Sequence, residues 1–393
     1  MGVIHPNGRT RAAGPGVRAS PSGGAPKLRP VHMLVPCLER HDAIGNDVLK
    51  MRDALDAAGY PVRIFAEGWN SGLGHVVEPL DPAARRWRIP EALLIYHHST
   101  QWPRGEQILQ RTANRIVVRY HNVTPPRYFE PYSREYAEAC RGGLESTARL
   151  ARLPGASYWC DSSFNASELV ALGAPWERCR TLAPFHRIEE MSSAPPDLSL
   201  FGEMEHRTVL LFTGGVKPNK GHRALLEMFA HYHRRKNPRS VLLIAGGAPE
   251  PLRAYASELQ GLAESLGVAR AVYFTGTVSE GALRFYYQAA DVFVCASEHE
   301  GFCVPLVEAM AFRLPIVARA CTAVPETIGP AGLAVEDGDP RVFAEAVHYL
   351  VGDPGSALRL GLAGAERYRN EFSVPALGKR LIALVEEMDR VAA

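Results

Sequence analysis

Two carboxylates, Glu300 and Glu308, stand eight positions apart in the stretch SEHEGFCVPLVEAMAFRLPIV (297–317). The apolar run DVFVCAS (291–297) reads as a buried parallel strand, which places Glu300 at its C-terminal end. Pro305 suits the first turn of a following helix, so Glu308 falls about one turn inside it. In open α/β sheets ligands bind beyond the strand carboxyl ends, where helix N-termini present unpaired N–H groups and stabilise a diphosphate. Carboxylates there would repel phosphate, but they accept strong hydrogen bonds from neutral hydroxyl groups. That combination describes a sugar nucleotide. On these residues alone, Glu300 as a helix cap and Glu308 as a solvated helix residue stay open.

A second constellation is LFTGGVKPNKGHRALLEMF (211–229), a strand, a Gly-rich loop and a helix with Leu225, Leu226 and Phe229 on one face. Gly214 and Gly215 permit close backbone approach, Lys220 stands at the helix entrance, and Lys217 lies three residues earlier. A phosphate fits this loop. It matches neither the Walker pattern nor GxGxxG, which disfavours ATP and dinucleotides.

In the front half, PCLERHDAIGNDVLKMRDAL places a long loop containing Gly45 and Asn46 immediately before a helix. His97 and His98 in YHHS, and His121 in RYHNVTPPRYFE, each follow an apolar strand and are expected at a cleft-facing edge. In WCDSSFNASEL (159–169), Asp161, Ser162 and Ser163 are explained by helix capping at least as well as by ligand contact. The segment EDGD (336–339) offers aspartates to a metal on paper, but Gly338 and Pro340 favour a turn into a helix.

The elements that position these groups alternate. Short apolar runs at 31–35, 62–65, 92–96, 116–120 and 156–160, then at 208–213, 241–245, 271–275, 292–295 and 316–318, are separated by helical stretches. Such alternation predicts two doubly wound parallel sheets. The expected organisation is an arm (1–29), a Rossmann-like acceptor domain (30–190), a linker (191–206) and a Rossmann-like donor domain (207–373). The amphipathic end (374–393) is expected to pack back on the first domain, and the cleft between domains is the expected site.

Composition bounds the function. Hydrophobic residues at 46% and charged residues at 22% suit a soluble globular chain, and no apolar run reaches membrane-spanning length. Arg9, Arg11, Arg18, Lys27 and Arg29 sit in an arm without acidic residues, expected to be disordered. The formal net charge is +2, so the body without the arm is slightly acidic, which argues against nucleic-acid binding. Seven cysteines without a close pair or zinc-type spacing are read as reduced, in a cytoplasmic protein.

Together these residues resemble the glycosyltransferases of family 4, over nearly the whole body from Val31. Glu300 and Glu308 in EGFCVPLVEAM match that family's E-x7-E motif, and the resemblance implies that Glu300 contacts donor-sugar hydroxyls and Glu308 the ribose. It also implies the GT-B fold, retention of anomeric configuration and no required metal or cofactor beyond the nucleotide sugar. GGVKPNKG is similar to the family's G-R-x-x-x-x-K-G pattern, so Lys220 corresponds to the lysine that neutralises the diphosphate. Gly215 stands in place of the usual arginine, and Lys217 is the candidate replacement. Thr277 and Val278 in FTGTVSEGAL resemble the segment that holds the nucleobase, while Gly301, Phe302, Cys303 and Val304 complete the donor side. His121 resembles the cleft histidine near the reacting sugar, and Gly45 the Gly-rich acceptor loop, with Asn46, His97 and His98 beside it. Much of YHNVTPPRYFEPY looks peculiar to a bacterial subgroup. The expected acceptor is a glycan, a glycolipid or a small natural product, with peripheral membrane contact compatible. Two alternatives stay open: a non-catalytic nucleotide-sugar-binding regulator or scaffold, and a sugar-nucleotide epimerase of similar fold.

Overall fold

The structure, a computed structural model, describes residues 28–40, 42–80, 89 and 91–390. Almost all of the basic arm therefore lies outside the described residues. Two parallel sheets form the body. The front sheet contains β1 (Val31–Leu38), β2 (Val62–Trp69), β3 (Val77–Pro79), β4 (Leu93–His98), β5 (Arg115–Tyr120), β6 (Ser157–Cys160) and β7 (Cys179–Thr181), in the order β3-β2-β1-β4-β5-β6-β7. The rear sheet contains β8 (Thr208–Thr213), β9 (Ser240–Ala245), β10 (Val272–Gly276), β11 (Val292–Cys295), β12 (Ile316–Arg319) and β13 (Gly332–Val335), in the order β10-β9-β8-β11-β12-β13. Both orders reverse beside their first strand, between β1 and β4 and between β8 and β11, and helices cover both faces. These two reversals are where an open sheet leaves a crevice.

The apolar runs seen in the sequence form ten of the strands, of which the edge strand β10 is only half-buried. The three strands without such a run, β3, β7 and β13, all lie at sheet edges. An edge strand is covered less completely, so VEP, CRT and GLAV need no continuous apolar pattern to pair. The segment 191–206 is not the loose linker that its prolines suggest. Helices Ile188–Ser193 and Phe201–Met204 bury Ile188, Met191 and Met204 in the rear core, and the Asp197 amide donates to the Gly281 carbonyl at 3.2 Å.

The last helix, Val374–Arg390, returns to the front sheet. Its Leu377, Leu381, Leu384 and Val385 recur at helical spacing and are buried with Val48, Met51 and Leu55 of helix Ala43–Ala57. Burial of each such side chain stabilises by about 2 kcal/mol as an upper figure. The rear domain is thus tied to the front one by two crossings of the chain.

Candidate active site

The strand ends at the two reversals face one another across a cleft of about 420 Å³. From the rear it is lined by Lys217, Asn219, Lys220 and the run His299 to Pro305; from the front, by Asp42, Ser99, Thr100, His121, Asn122 and Asp161 among others. The two rear loops are locked together. A β-carbon on Gly221, whose φ is 67°, would stand 1.9 Å from the Ala296 carbonyl oxygen, and the Asn219 carbonyl accepts the Glu298 amide at 2.8 Å. This contact brings Lys220 to Glu300.

The Lys220 ammonium lies 2.8 Å from both carboxylate oxygens of Glu300, which is only 6% exposed. Burial opposes the charge on Lys220, but the adjacent Glu300 carboxylate outweighs it and raises the lysine above its ordinary value. The sequence assigned the two residues to different parts of a ligand. In the protein alone they neutralise each other, because a buried carboxylate without a partner is costly. Thr322 holds the loop from behind, its hydroxyl accepting the Glu300 amide at 2.9 Å and donating to the Glu300 carbonyl at 2.7 Å.

Glu300 leads into helix Val304–Ala311, which begins one residue before the proline. Cys303 precedes that helix at φ 76°, a left-handed conformation that a β-carbon disfavours. Cys303→Gly is therefore expected to be more stable than Cys303→Ala by about 1 kcal/mol, the reverse of the usual order, as read from denaturant melts of both variants. A Cys303→Ala variant at least as stable as the glycine variant would remove the strain argument.

Glu308 does not line the cleft. It is half-buried one turn further on, and its carboxylate accepts the Tyr287 hydroxyl at 2.6 Å, while Tyr287 also contacts the Thr213 hydroxyl at 2.6 Å. Burial raises Glu308 above the usual carboxylate range, and these hydrogen bonds partly offset it. Gly214, Gly215, Thr277 and Val278 also stand outside the cleft. Gly214 and Thr277 cluster around Gly246 and Gly247 at the ends of β8, β9 and β10, with the Gly214 amide donating to the Ala245 carbonyl at 2.9 Å. Lys217 joins this patch to the cleft: its Cε lies 3.6 Å from where a β-carbon of residue 215 would be. Burial, and then the charge of Lys220, lower Lys217 from its ordinary value.

On the front side the histidines separate. His121 lines the cleft, yet both its ring nitrogens are engaged, Nδ1 by Asp161 at 3.2 Å and Nε2 by His97 at 3.0 Å. Neither is left to exchange a proton with a bound sugar, so the catalytic role expected of His121 narrows to positioning and contact. His97 and His98 are buried and do not face an acceptor. Burial lowers His97 far below its ordinary value; His98, pushed down to about 4 by burial, contacts the Thr147 hydroxyl at 2.8 Å. Two apolar runs ending at a polar pair do not reveal which side chains the pleat turns inward. Gly45 and Asn46 stand inside helix Ala43–Ala57, which Asp42 caps, rather than in a loop before it; a β-carbon on Gly45 would meet the Glu39 carbonyl oxygen at 1.8 Å, and Asn46 lines a different surface pocket.

The sequence missed the support beneath His121. Arg119, fully buried, donates to the Asp47 carboxylate at 3.0 and 3.2 Å and lies 2.9 Å from Asp161. Asp47, His97 and His121 are close enough to share a metal ion, but the Arg119 guanidinium already supplies the cation on Asp47. Asp161, for which the sequence leaves both capping and ligand contact open, lines the cleft and faces His121, while Ser162 caps helix Ser163–Ala171 and donates to the Gly301 carbonyl at 2.7 Å.

Asn122 joins the domains. Its φ is 70°; its Oδ1 lies 2.7 Å from His299 Nε2, and its Nδ2 donates to Glu168 at 2.6 Å and Asn165 at 3.0 Å. Burial brings His299 down to about 4, so near neutral pH it is uncharged and its Nε2–H donates to Asn122. Burial pushes Glu168 up to about 7 against hydrogen bonds from Tyr120 and Asn122. A carboxylic acid raised in the fold contributes stability below its ordinary value of 4.5 and loses it as pH rises through about 7. Glu168→Gln should remove this dependence, so its Tm should gain on the parent's by a few degrees between about pH 5 and 7. Parallel Tm profiles for the two proteins would refute it.

Comparisons with known proteins bear on the family and on the fold. Residues 201–367 match the family model for glycosyl transferases group 1. The match falls in the rear half of the chain and covers less than half of its length. Curated relatives include the D-inositol 3-phosphate glycosyltransferase 1 of Catenulispora acidiphila, 32% identical over 229 residues, which are 56% of this chain and 54% of that protein. Another is the GDP-mannose-dependent alpha-(1-6)-phosphatidylinositol monomannoside mannosyltransferase of Mycolicibacterium smegmatis, 31% identical over 188 residues, 46% of this chain and 48% of that protein. The chain spans about half the length of the curated relatives it matches. Among solved structures, sucrose-phosphate synthase of Thermosynechococcus elongatus superposes with a TM-score of 0.72 at 19% identity, covering 92% of this chain and all of that one. Anabaena HepE in complex with UDP-glucose gives 0.71 at 16% identity, covering 91% and 100%. The fold is GT-B, and the residues matched by the group 1 model lie in its rear half. No described helix is long and apolar enough to cross a membrane.

Proposed function

We propose that the protein transfers a hexose from a nucleoside diphosphate sugar to an acceptor hydroxyl with retention of anomeric configuration, without needing a metal. The observation that carries this is the Lys220–Glu300 pair, held between the β8 and β11 ends and facing the front sheet across the cleft. A cation and an anion that satisfy each other in the free protein can each take a different part of one ligand. Lys220 would turn to the diphosphate together with the N-terminus of helix Val304–Ala311, and Glu300 would accept sugar hydroxyls.

As the bond from the anomeric carbon to phosphate breaks, its electron pair goes to the departing diphosphate, where fixed positive charge stabilises it. The acceptor oxygen attaches on the same face and its proton passes to the leaving phosphate oxygen. Glu308, fixed by Tyr287, would hold the ribose, and Gly214, Gly215, Thr277 and Val278 the nucleotide beyond it. His121, braced by Asp161 and His97, would pack against the reacting sugar. The acceptor is a glycan, a glycolipid or a small natural product, and the site of action is the cytoplasm.

Lys217 occupies the space beside Gly215 and would supply the charge of the missing arginine. Lys217→Ala should raise the donor KM about tenfold, the worth of one charge-assisted hydrogen bond. Unchanged donor affinity and turnover would refute that substitution. The function itself is tested by melting the protein with a panel of UDP-, GDP- and ADP-sugars, since a bound ligand raises Tm by mass action, and then assaying transfer with the stabilising donor. Stabilisation without transfer to any acceptor class, or donor epimerisation alone, would replace this reading with the regulator or the epimerase. No stabilisation by any donor would end it.

A further inference from the structure

We propose that Cys295, Cys303 and Glu300 form a reversible binding site for a thiophilic divalent cation of the Zn2+ type, whose occupancy excludes the sugar nucleotide. The exclusion rests on the function proposed above; the site itself does not. Both thiols are buried and free, Cys295 at the end of β11 and Cys303 at the entry to helix Val304–Ala311, with their sulfurs 3.9 Å apart. The two sulfurs and a Glu300 carboxylate oxygen all lie within 4.8 Å of one another.

The sulfur separation distinguishes two uses of such a pair. A disulfide needs the sulfurs at about 2.0 Å. Two thiolates on a tetrahedral zinc, each at about 2.3 Å, stand about 3.8 Å apart. The observed spacing, which is that of a thiol–thiol hydrogen bond in the metal-free protein, already sets the two sulfurs at the separation of ligands on a common metal. Two sulfurs and one carboxylate oxygen favour Zn2+ over Mg2+ or Ca2+, which take oxygen ligands. Cys303 borders the cleft, which offers the ion an entry and a water for the fourth position.

A second observation singles out Cys303. It carries a side chain at φ 76°, where glycine alone is free of strain, and the β-carbon placed there at that cost is the one that brings the second sulfur to Cys295. Among the described residues, the other cluster with metal-type donors, Asp47, His97 and His121, already holds the Arg119 guanidinium. Among the described residues no fixed guanidinium lies on the thiols; the cation that acts on Cys303 is the Lys220 ammonium. The competing cation at Glu300 is Lys220, whose ammonium contacts both carboxylate oxygens and must yield one of them to the metal. A metal-held Glu300 can no longer turn to sugar hydroxyls, so metal and donor compete.

Co2+ serves as the probe, because thiolate ligands give it a sulfur-to-metal charge-transfer absorption. Titration of the intact protein under reducing, thiol-free conditions should give a saturable band with one Co2+ per chain, displaced by Zn2+. The band should vanish in Cys295→Ala, a variant of a core strand residue outside the proposed donor contacts, and independently in Cys303→Gly. A nucleotide sugar that stabilises the protein should raise the Co2+ concentration at half-saturation at least tenfold. Absence of the band in the parent, or its survival in both variants, would overturn the site. A band unmoved by a donor that demonstrably binds would overturn the exclusion. If no donor in the panel binds, the glycosyltransferase reading fails while the band still decides the metal site.

Discussion

Glu300→Gln should lower kcat/KM for sugar transfer by about 10²–10³-fold, mostly in kcat. The amide keeps the volume of the side chain but replaces charge-assisted hydrogen bonds to hydroxyls with neutral ones, at a cost of about 1.5–2 kcal/mol for each of two contacts. It also misplaces the anomeric carbon by loosening the sugar, which weighs on the chemical step more than on binding. The variant should still fold, because Thr322 holds the loop through the backbone of residue 300, which the substitution leaves intact. Steady-state kinetics with the stabilising donor provide the check, with circular dichroism melting as the control. A folded Glu300→Gln enzyme with parental turnover would contradict the assignment of Glu300 to the sugar.

Lys220→Ala should affect both stability and catalysis. Removing the ammonium leaves the Glu300 carboxylate buried without its counter-charge, at a cost of about 2–3 kcal/mol once the partial exposure of the lysine is allowed for. Transfer should fall by about 10³-fold, since the departing diphosphate loses its nearest fixed charge. Combining Lys220→Ala with Glu300→Gln should recover most of the lost stability and none of the activity, because the unpaired charge disappears while the chemistry does not return. Denaturant melts of the four proteins in this cycle measure the coupling. Strict additivity would mean that the pair is incidental. The pH dependence has a definite sign: the lysine is raised in the fold, so its contribution is complete below the ordinary value of 10.5 and is lost only as pH climbs through the higher folded value. Between pH 6 and 9 Lys220 should therefore leave the melting profile flat.

Metal competition and acid-linked stability meet at the same loop. Residues 298–303 carry the Lys220 partner, the interdomain contact of His299 and the second thiol. Whatever pulls Glu300 or His299 out of place should loosen the domain contact as well as the donor site. Glu168 lies on the far side of that contact, through Asn122.

Local pattern in the chain was enough to reveal ten of the strands, the two doubly wound sheets and the motif carrying Glu300, Glu308 and Lys220. A strand buried on both faces must be apolar throughout, and a loop that meets phosphate must offer glycine and lysine near a helix start. Those requirements act on neighbouring residues and can be read from them. The edge strands β3, β7 and β13 escaped because lighter burial imposes no such pattern. The pairing of Lys220 with Glu300 joins positions 80 apart, and Arg119 reaches Asp47 across 72. Only the packing of strand ends brings them together. The same packing turned His97 and His98 inward, occupied both nitrogens of His121 and placed Asn122 between the domains. Local sequence records what each segment must bury, whereas the partner of a buried charge is selected by distance in three dimensions, after the sheets have formed.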